Sequence, residues 1–185
     1  MRRALIVGIN HYQTGPLTAS VNDANEIARL LEHHENGDPN FDCKTVVSDE
    51  ESYITQSYLR KHLNQLFSNE ADVVLFYFSG HGIQTSISTH LATQDCAKYN
   101  EGIGLNELMI MANQSRAREV IIILDCCYSG IAGNNAYSNE NMTIIREGVS
   151  ILTSSQKYQV SKAKKGGMGV LTKCICQALE GGGAD

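Results

Sequence analysis

The chain has no tryptophan, only two prolines and no C-x-x-C pair among its six cysteines. So few prolines, without a repeat, exclude collagen-like and proline-rich chains. No apolar run approaches the roughly 18 residues of a membrane-spanning helix. The short run Ala4 to Ile9 has neither the length nor the small-residue cleavage site of a signal peptide. Basic residues are in the minority, with 15 Lys and Arg against 20 Asp and Glu and a net charge of −5. A general nucleic-acid binder would be basic, so no nucleic-acid partner and no membrane partner are expected. What is present is ordinary: 42% hydrophobic and 19% charged residues in 185 positions. That length corresponds to about one domain, residues 1–185. Its core is large enough to need no metal or disulfide staple.

The cysteines stand at 43, 96, 126, 127, 174 and 176. Without a secretion signal, a disulfide framework is not expected, and the compartment reads as reducing, hence cytoplasmic. Cys174 and Cys176 would point to different faces of a helix, which argues against a zinc site. The thiols are therefore small buried hydrophobes or include a reactive one.

Apolar segments alternate in type along the chain. Ala4 to Ile9 reads as a buried strand. Ser20 to about Glu35 has helical period, with Ala24, Ile27, Ala28 and Leu31 on one face. Ser20 and Asp23 resemble a capping box at its start. Cys43 to Ser48 reads as a weaker strand, Thr55 to Ser68 as a helix, and Asp72 to Phe78 as a strong strand. A polar stretch from Gln84 to Gly104 holds a hairpin near Thr89 to Thr93. A helix follows around Leu105, Leu108, Met109 and Ala112, then the strand Val120 to Leu124. A polar loop from Tyr128 to Asn141 leads to the strand Val149 to Thr153. The last helix groups Leu171, Cys174, Ile175 and Ala178 and ends near Gly181. Strand–helix alternation with continuously apolar strands predicts an α/β fold with a mostly parallel sheet covered on both faces.

Functional residues of such sheets lie beyond the carboxyl ends of the strands. Those ends carry Asn10-His11, Ser79-Gly80-His81-Gly82 and Asp125-Cys126-Cys127-Tyr128-Ser129-Gly130. A thiol becomes a nucleophile when a base favours its thiolate. His81 and Cys127 close two strands and need only neighbouring positions to share one crevice. Backbone amides near Gly82 and at Cys127 could stabilise an oxyanion.

Phe78-Ser79-Gly80-His81-Gly82 and Leu124-Asp125-Cys126-Cys127-Tyr128-Ser129-Gly130 resemble the two signature segments of the caspase/metacaspase superfamily, in its bacterial caspase-like D-x-C-x-S-G branch. The resemblance spans nearly the whole chain, from Ala4–Asn10 and Val21-Asn22-Asp23-Ala24 to Gly169-Val170-Leu171-Thr172. It implies the three-layer αβα caspase-hemoglobinase (Rossmann-like) fold. It also implies a cysteine endopeptidase in which His81 is the general base and Cys127 the nucleophile, with no obligatory third side chain. In metacaspases the Asp two before the nucleophile and an Asp entering the first helix line a pocket for Arg or Lys. Asp125 and Asp23 match them, and bidentate pairing makes Arg the natural ligand of such carboxylates. Asp23 also has a purely local reading, as an acid favoured in a first helical turn. Cys126 and Cys174 read as packing residues, while Cys43, Cys96 and Cys176 have no assigned role.

The family pattern is not followed throughout. Tyr128 replaces the His that often follows the nucleophile. The segment Thr85 to Glu101 offers only Asp95 and Glu101, too few oxygens for a dedicated calcium site, so no cofactor and no metal are expected. Arg146 is a candidate for self-cleavage, as is the basic segment with Lys157, Lys162, Lys164 and Lys165. The chain reads as a near-minimal catalytic domain without a prodomain, truncated at its end relative to longer relatives. Expected partners are protein substrates and a sensor or regulatory domain, with a monomer or weak dimer as the assembly. The resemblance permits a proteolytic effector in defence or cell death. The alternatives are a catalytically inactive caspase-fold interaction module and an Asp-directed peptidase. A nucleotide-binding domain is disfavoured because no phosphate-binding glycine motif follows the first strand.

Overall fold

The computed structural model describes residues 1–49, 52–85, 88–128, 145–154 and 167–182, with 127 and 128 described by their backbone. The loop expected from Tyr128 to Asn141 is, apart from Tyr128 itself, outside the described residues, as are Lys157, Lys162, Lys164 and Lys165.

Among the described residues, seven strands form one sheet: β1 (Arg2–Gly8), β2 (Asp42–Val47), β3 (Val73–Gln84), β4 (Thr89–Leu91), β5 (Ile103–Gly104), β6 (Glu119–Tyr128) and β7 (Val149–Thr153). The order β2-β1-β3-β6-β7 is parallel throughout. β4 and β5 add an antiparallel flap to the end of β3. Four described α-helices cover the sheet: α1 (Ser20–Glu32), α2 (Gln56–Ser68), α3 (Leu105–Gln114) and α4 (Val170–Gln177), the last continuing into a wider turn over Ala178–Gly182.

The period-2 alternation of the strands sorts side chains between two cores. Leu5, Val7, Val74, Phe76, Phe78, Val120, Ile122, Leu124 and Cys126 face Leu59, Leu63, Leu66 and Phe67 of α2 and Leu108 and Ala112 of α3. Ala4, Ile6, Leu75, Tyr77 and Ile123 face Ala24, Ile27, Ala28 and Leu31 of α1 and Cys176 of α4. This is the expected three-layer αβα arrangement with a mostly parallel sheet. No helix among the described residues is long and apolar enough to cross a membrane.

Four local expectations need correction. The capping box does not form: Ala19 is the N-cap residue of α1, without a side-chain cap. Asn10 Oδ1, reaching over from the exit of β1, accepts from Val21 N at 3.3 Å instead. α1 stops at Glu32 because His33 is extended and bridges Pro39 across a turn at Gly37. β3 and β6 run on through the motifs that were expected to lie beyond them, because each continues the other's ladder as far as Gly82 and Tyr128. In α4 the buried positions are Thr172 and Cys176, with Leu171 and Ile175 partly buried, whereas Cys174 is exposed. The packing role expected of Cys174 belongs to Cys176.

Candidate active site

Two clusters stand side by side where β3 and β6 end. The first is acidic. Alternation places Asp125 on the same sheet face as Ile121 and Ile123, toward α1 and α4, and does the same for Tyr77 and Ser79 of β3. Asp23 belongs to the inward stripe of α1, one position before Ala24, and is buried. The two acids meet at the entry of α4. Asp23 Oδ1 accepts from Gly169 N at 2.9 Å, and its Oδ2 accepts from Ser79 Oγ at 3.1 Å. Asp125 Oδ2 accepts from Thr172 N at 3.1 Å and from Thr172 Oγ1 at 2.6 Å. Since the Thr172 hydroxyl donates to Asp125, the buried Tyr77 hydroxyl donates to Thr172 Oγ1, at 2.6 Å.

Gly169 marks the point of convergence. A Cβ there would lie 2.4 Å from Asp125 Oδ2 and 3.1 Å from Asp23 Oδ2, so only glycine lets the main chain pass. Burial, together with the neighbouring charge of Asp125, pushes the Asp23 carboxyl up to about 6 against the opposing bonds from Gly169 and Ser79. Burial also raises the Tyr77 phenol far above its ordinary range, keeping it a neutral donor.

The second cluster surrounds His81. The parallel register pairs His81 with Cys127, and Gly82 with Tyr128. Adjacent strands lie about 4.8 Å apart, so the positions singled out as base and nucleophile are immediate neighbours along the backbone. Gly82 is also paired with Leu91 of β4. His81 Nε2 lies 2.5 Å from the carbonyl oxygen of Gly15. A carbonyl can only accept, so Nε2 carries the hydrogen and Nδ1 is the basic atom. Gly15 has φ +69°, a turn conformation that suits glycine. Tyr12 packs its ring 4.6 Å from the imidazole, and its hydroxyl accepts the His81 N–H at 3.0 Å.

Sequence reasoning singled out His81, Cys127, Asp23 and Asp125; the structure sets the first two in register on adjacent strands and brings the last two together at the entry of α4. Sequence reasoning missed Tyr12, Gly15, Ser79, Gly169 and Thr172. Ser79 and Thr172 stood inside the quoted motifs, and for Ser79 the alternation with Tyr77 along β3 was the available signal.

Four other thiols, Cys43, Cys96, Cys126 and Cys176, are poor nucleophiles because they are wholly or partly buried. Burial raises Cys176 to about 11 and Cys43 to about 12, raises Cys96 too, and encloses Cys126 in the core. Asp95 is committed to structure, since its Oδ1 accepts from Gln56 N at the start of α2 and from Thr93 Oγ1. Arg146 lies at the opposite end of the sheet, beside the starts of β6 and β7. Its guanidinium donates to the carbonyls of Ser115, Ala117 and Glu147.

A family model of the caspase domain matches residues 1–185. The chain belongs to the caspase-domain family. Members of that family are cysteine peptidases, which agrees with a histidine and a cysteine held in register on adjacent strands of this caspase domain. No curated protein matches the chain.

Proposed function

We propose that this caspase domain is a single catalytic unit that cleaves protein substrates after arginine or lysine. Cys127 is its nucleophile and His81 its general base. Nδ1 of His81 takes the thiol proton, and the thiolate attacks the scissile carbonyl. The backbone amides of Gly82 and Cys127 are the nominated donors to the oxyanion. Collapse breaks the C–N bond, the imidazolium returns its proton to the leaving amine, and water then hydrolyses the thioester. The Gly15 carbonyl supports this cycle by fixing the tautomer and by remaining bonded to Nε2–H when the ring is charged.

The observation that carries the basic specificity is the convergence of Asp23 and Asp125 on one point beside the dyad. A half-buried carboxylate pair recognises a guanidinium or ammonium group and repels an acidic side chain. Asp125, the more exposed of the two, meets the substrate, and the buried Asp23 backs it. In a reducing compartment such an enzyme suits a proteolytic effector in defence or cell death, acting on protein substrates under a sensor or regulatory partner. No metal takes part in the reaction so written.

A fluorogenic panel with Arg, Lys or Asp before the scissile bond tests the reading on wild type, Cys127→Ala, His81→Ala and Asp125→Ala, with and without calcium. Arg and Lys peptides are turned over, Asp peptides are not, and Cys127→Ala loses well over 10²-fold in kcat. Full activity in Cys127→Ala, or equal cleavage after Asp, refutes it.

A further inference from the structure

We infer that Tyr12 is the positioning residue of the His81 base, an inference that rests on the His81–Cys127 reading. The need for such a residue arises from the sheet. β3 runs beside β1 as far as Ser79, whose carbonyl accepts from Ile9 N. From Gly82 onward the same edge of β3 pairs with β4. His81 sits at the seam between the two neighbours. On that edge Ala92 N donates to the His81 carbonyl at 2.9 Å, which is one half of an antiparallel rung. The other half would join His81 N–H to the Ala92 carbonyl.

The Tyr12 hydroxyl is inserted there. It accepts from His81 N at 3.0 Å and donates to Ala92 O at 3.2 Å. One hydroxyl, being both donor and acceptor, completes the rung that β1 has left and β4 has not closed. The Tyr12 ring lies against the imidazole, its centroid 4.6 Å away and the planes tilted by 50°. A single side chain thus fixes the backbone of the base and covers one side of its ring.

Two neighbours are fitted to this arrangement. Gly80 leaves room for the hydroxyl, since a Cβ there would come within 2.5 Å of the Tyr12 oxygen. The turn that carries Tyr12 also carries Gly15, and it is closed by Tyr12 N and Leu17 N donating to the Asn10 carbonyl. The group that holds the His81 backbone and the group that holds Nε2 therefore come from one segment. Burial raises the Tyr12 phenol, so it stays protonated and its donor is not lost in the working range. A base must be held to a fraction of an ångström, and misplacement by about 1 Å can cost about 10²-fold in rate.

The test compares wild type with Tyr12→Phe, which keeps the ring and removes the hydroxyl, and Tyr12→Leu, which removes both. Each uses the best substrate of the fluorogenic panel, with active sites counted by iodoacetamide labelling of Cys127. In Tyr12→Phe, kcat per labelled site falls about tenfold or more. KM stays within about twofold, and the His81 amide exchanges faster with solvent; Tyr12→Leu falls further. A merely structural role lowers the melting temperature and the number of labelled sites while leaving kcat per site within about twofold of wild type, and that result overturns the inference. Unimpaired turnover in His81→Ala is a different failure, because it removes the dyad reading and this inference with it.

Discussion

The acidic cluster and the imidazole cluster are neighbours, yet they are built by opposite means. Asp125, Ser79 and Tyr77 sit on regular strands, and Asp23 and Thr172 on regular helices, so simple periodicity aims all five at one point. His81 depends on a turn: a main-chain carbonyl at Gly15 and a tyrosine hydroxyl filling a gap in a ladder. Under the proposed function, selection of substrate is thus anchored in the packed layers, where charge is costly to bury but rigidly placed. The proposed base is anchored at a seam, where one side chain can decide its position. The two clusters should therefore fail separately.

Asp125→Ala gives the largest break between them. It removes the more exposed carboxylate and leaves the turn of residues 10–17 untouched. Truncating one member of a hydrogen-bonded charge pair costs about 2–5 kcal/mol, so kcat/KM for Arg peptides should fall about 10²-fold, mostly through KM. The rate of iodoacetamide labelling at Cys127 should stay within about twofold. If labelling fell in parallel with cleavage, the clusters would be one unit.

Asp23→Asn sharpens the comparison, because here function and stability should move in opposite directions. The folded carboxyl is raised to about 6 from 3.8, mainly by burial. Between those pH values the folded state binds more protons than the unfolded state, so stability falls as pH rises through 6. At pH 7.5 Asp23 is a full liability to folding, and near pH 4 it is nearly none. Asn keeps an acceptor for Gly169 N without the charge. Its melting temperature should exceed that of wild type by a few degrees at pH 7.5, with the gain vanishing toward pH 4. At pH 7.5 its kcat/KM for Arg peptides should be about tenfold lower. Wild type should lose affinity for Arg peptides below about pH 6, an acid limb that Asp23→Asn lacks. An Asn variant less stable than wild type at pH 7.5 would show that the carboxylate is held by its hydrogen bonds rather than strained by burial.

The same contrast explains what could be read in the sequence. Continuous apolar strands and the stripe Ala24, Ile27, Ala28 and Leu31 report burial directly, so the parallel sheet and its two helical layers were legible. Asp23 and Asp125 were legible too, since each lies within a motif. Tyr12 and Gly15 were not, because neither period nor spacing records a missing rung between β3 and β4. The false capping box has the same cause. Ser20 and Asp23 have suitable spacing, but Asn10 reaches Val21 N from another element and Asp23 turns inward to Gly169. In α4, Leu171 and Ile175 fit two adjacent stripes, and only contact with α1 and the sheet selects Cys176 over Cys174.

Arg146 provides the smallest effect and a control distant from both clusters. Its Nη2 donates to the Ala117 carbonyl at 2.7 Å and to the Ser115 carbonyl at 3.4 Å, while its main-chain N donates to Asn113 Oδ1 at 3.1 Å. The side chain thus ties the exit of α3 to the start of β7. A hydrogen bond from a charged group contributes about 1.5–3 kcal/mol, and partial exposure of this one reduces that. Arg146→Ala should cost about 1 kcal/mol in a denaturant titration and leave kcat and KM for Arg peptides unchanged. Under the proposed specificity, self-cleavage after Arg146 would require this guanidinium to leave its carbonyls and enter the acidic cluster at the far end of the sheet. Where the enzyme does cut itself there, the cut should slow as the clamp is stabilised and speed up in mild denaturant that loosens the α3–β7 junction. Intact mass measured over time on wild type, Arg146→Ala and Cys127→Ala separates the two roles. A fragment ending at Arg146 in wild type alone assigns the cut to Cys127. Its absence in all three, with the stability loss retained, leaves Arg146 as a structural tie.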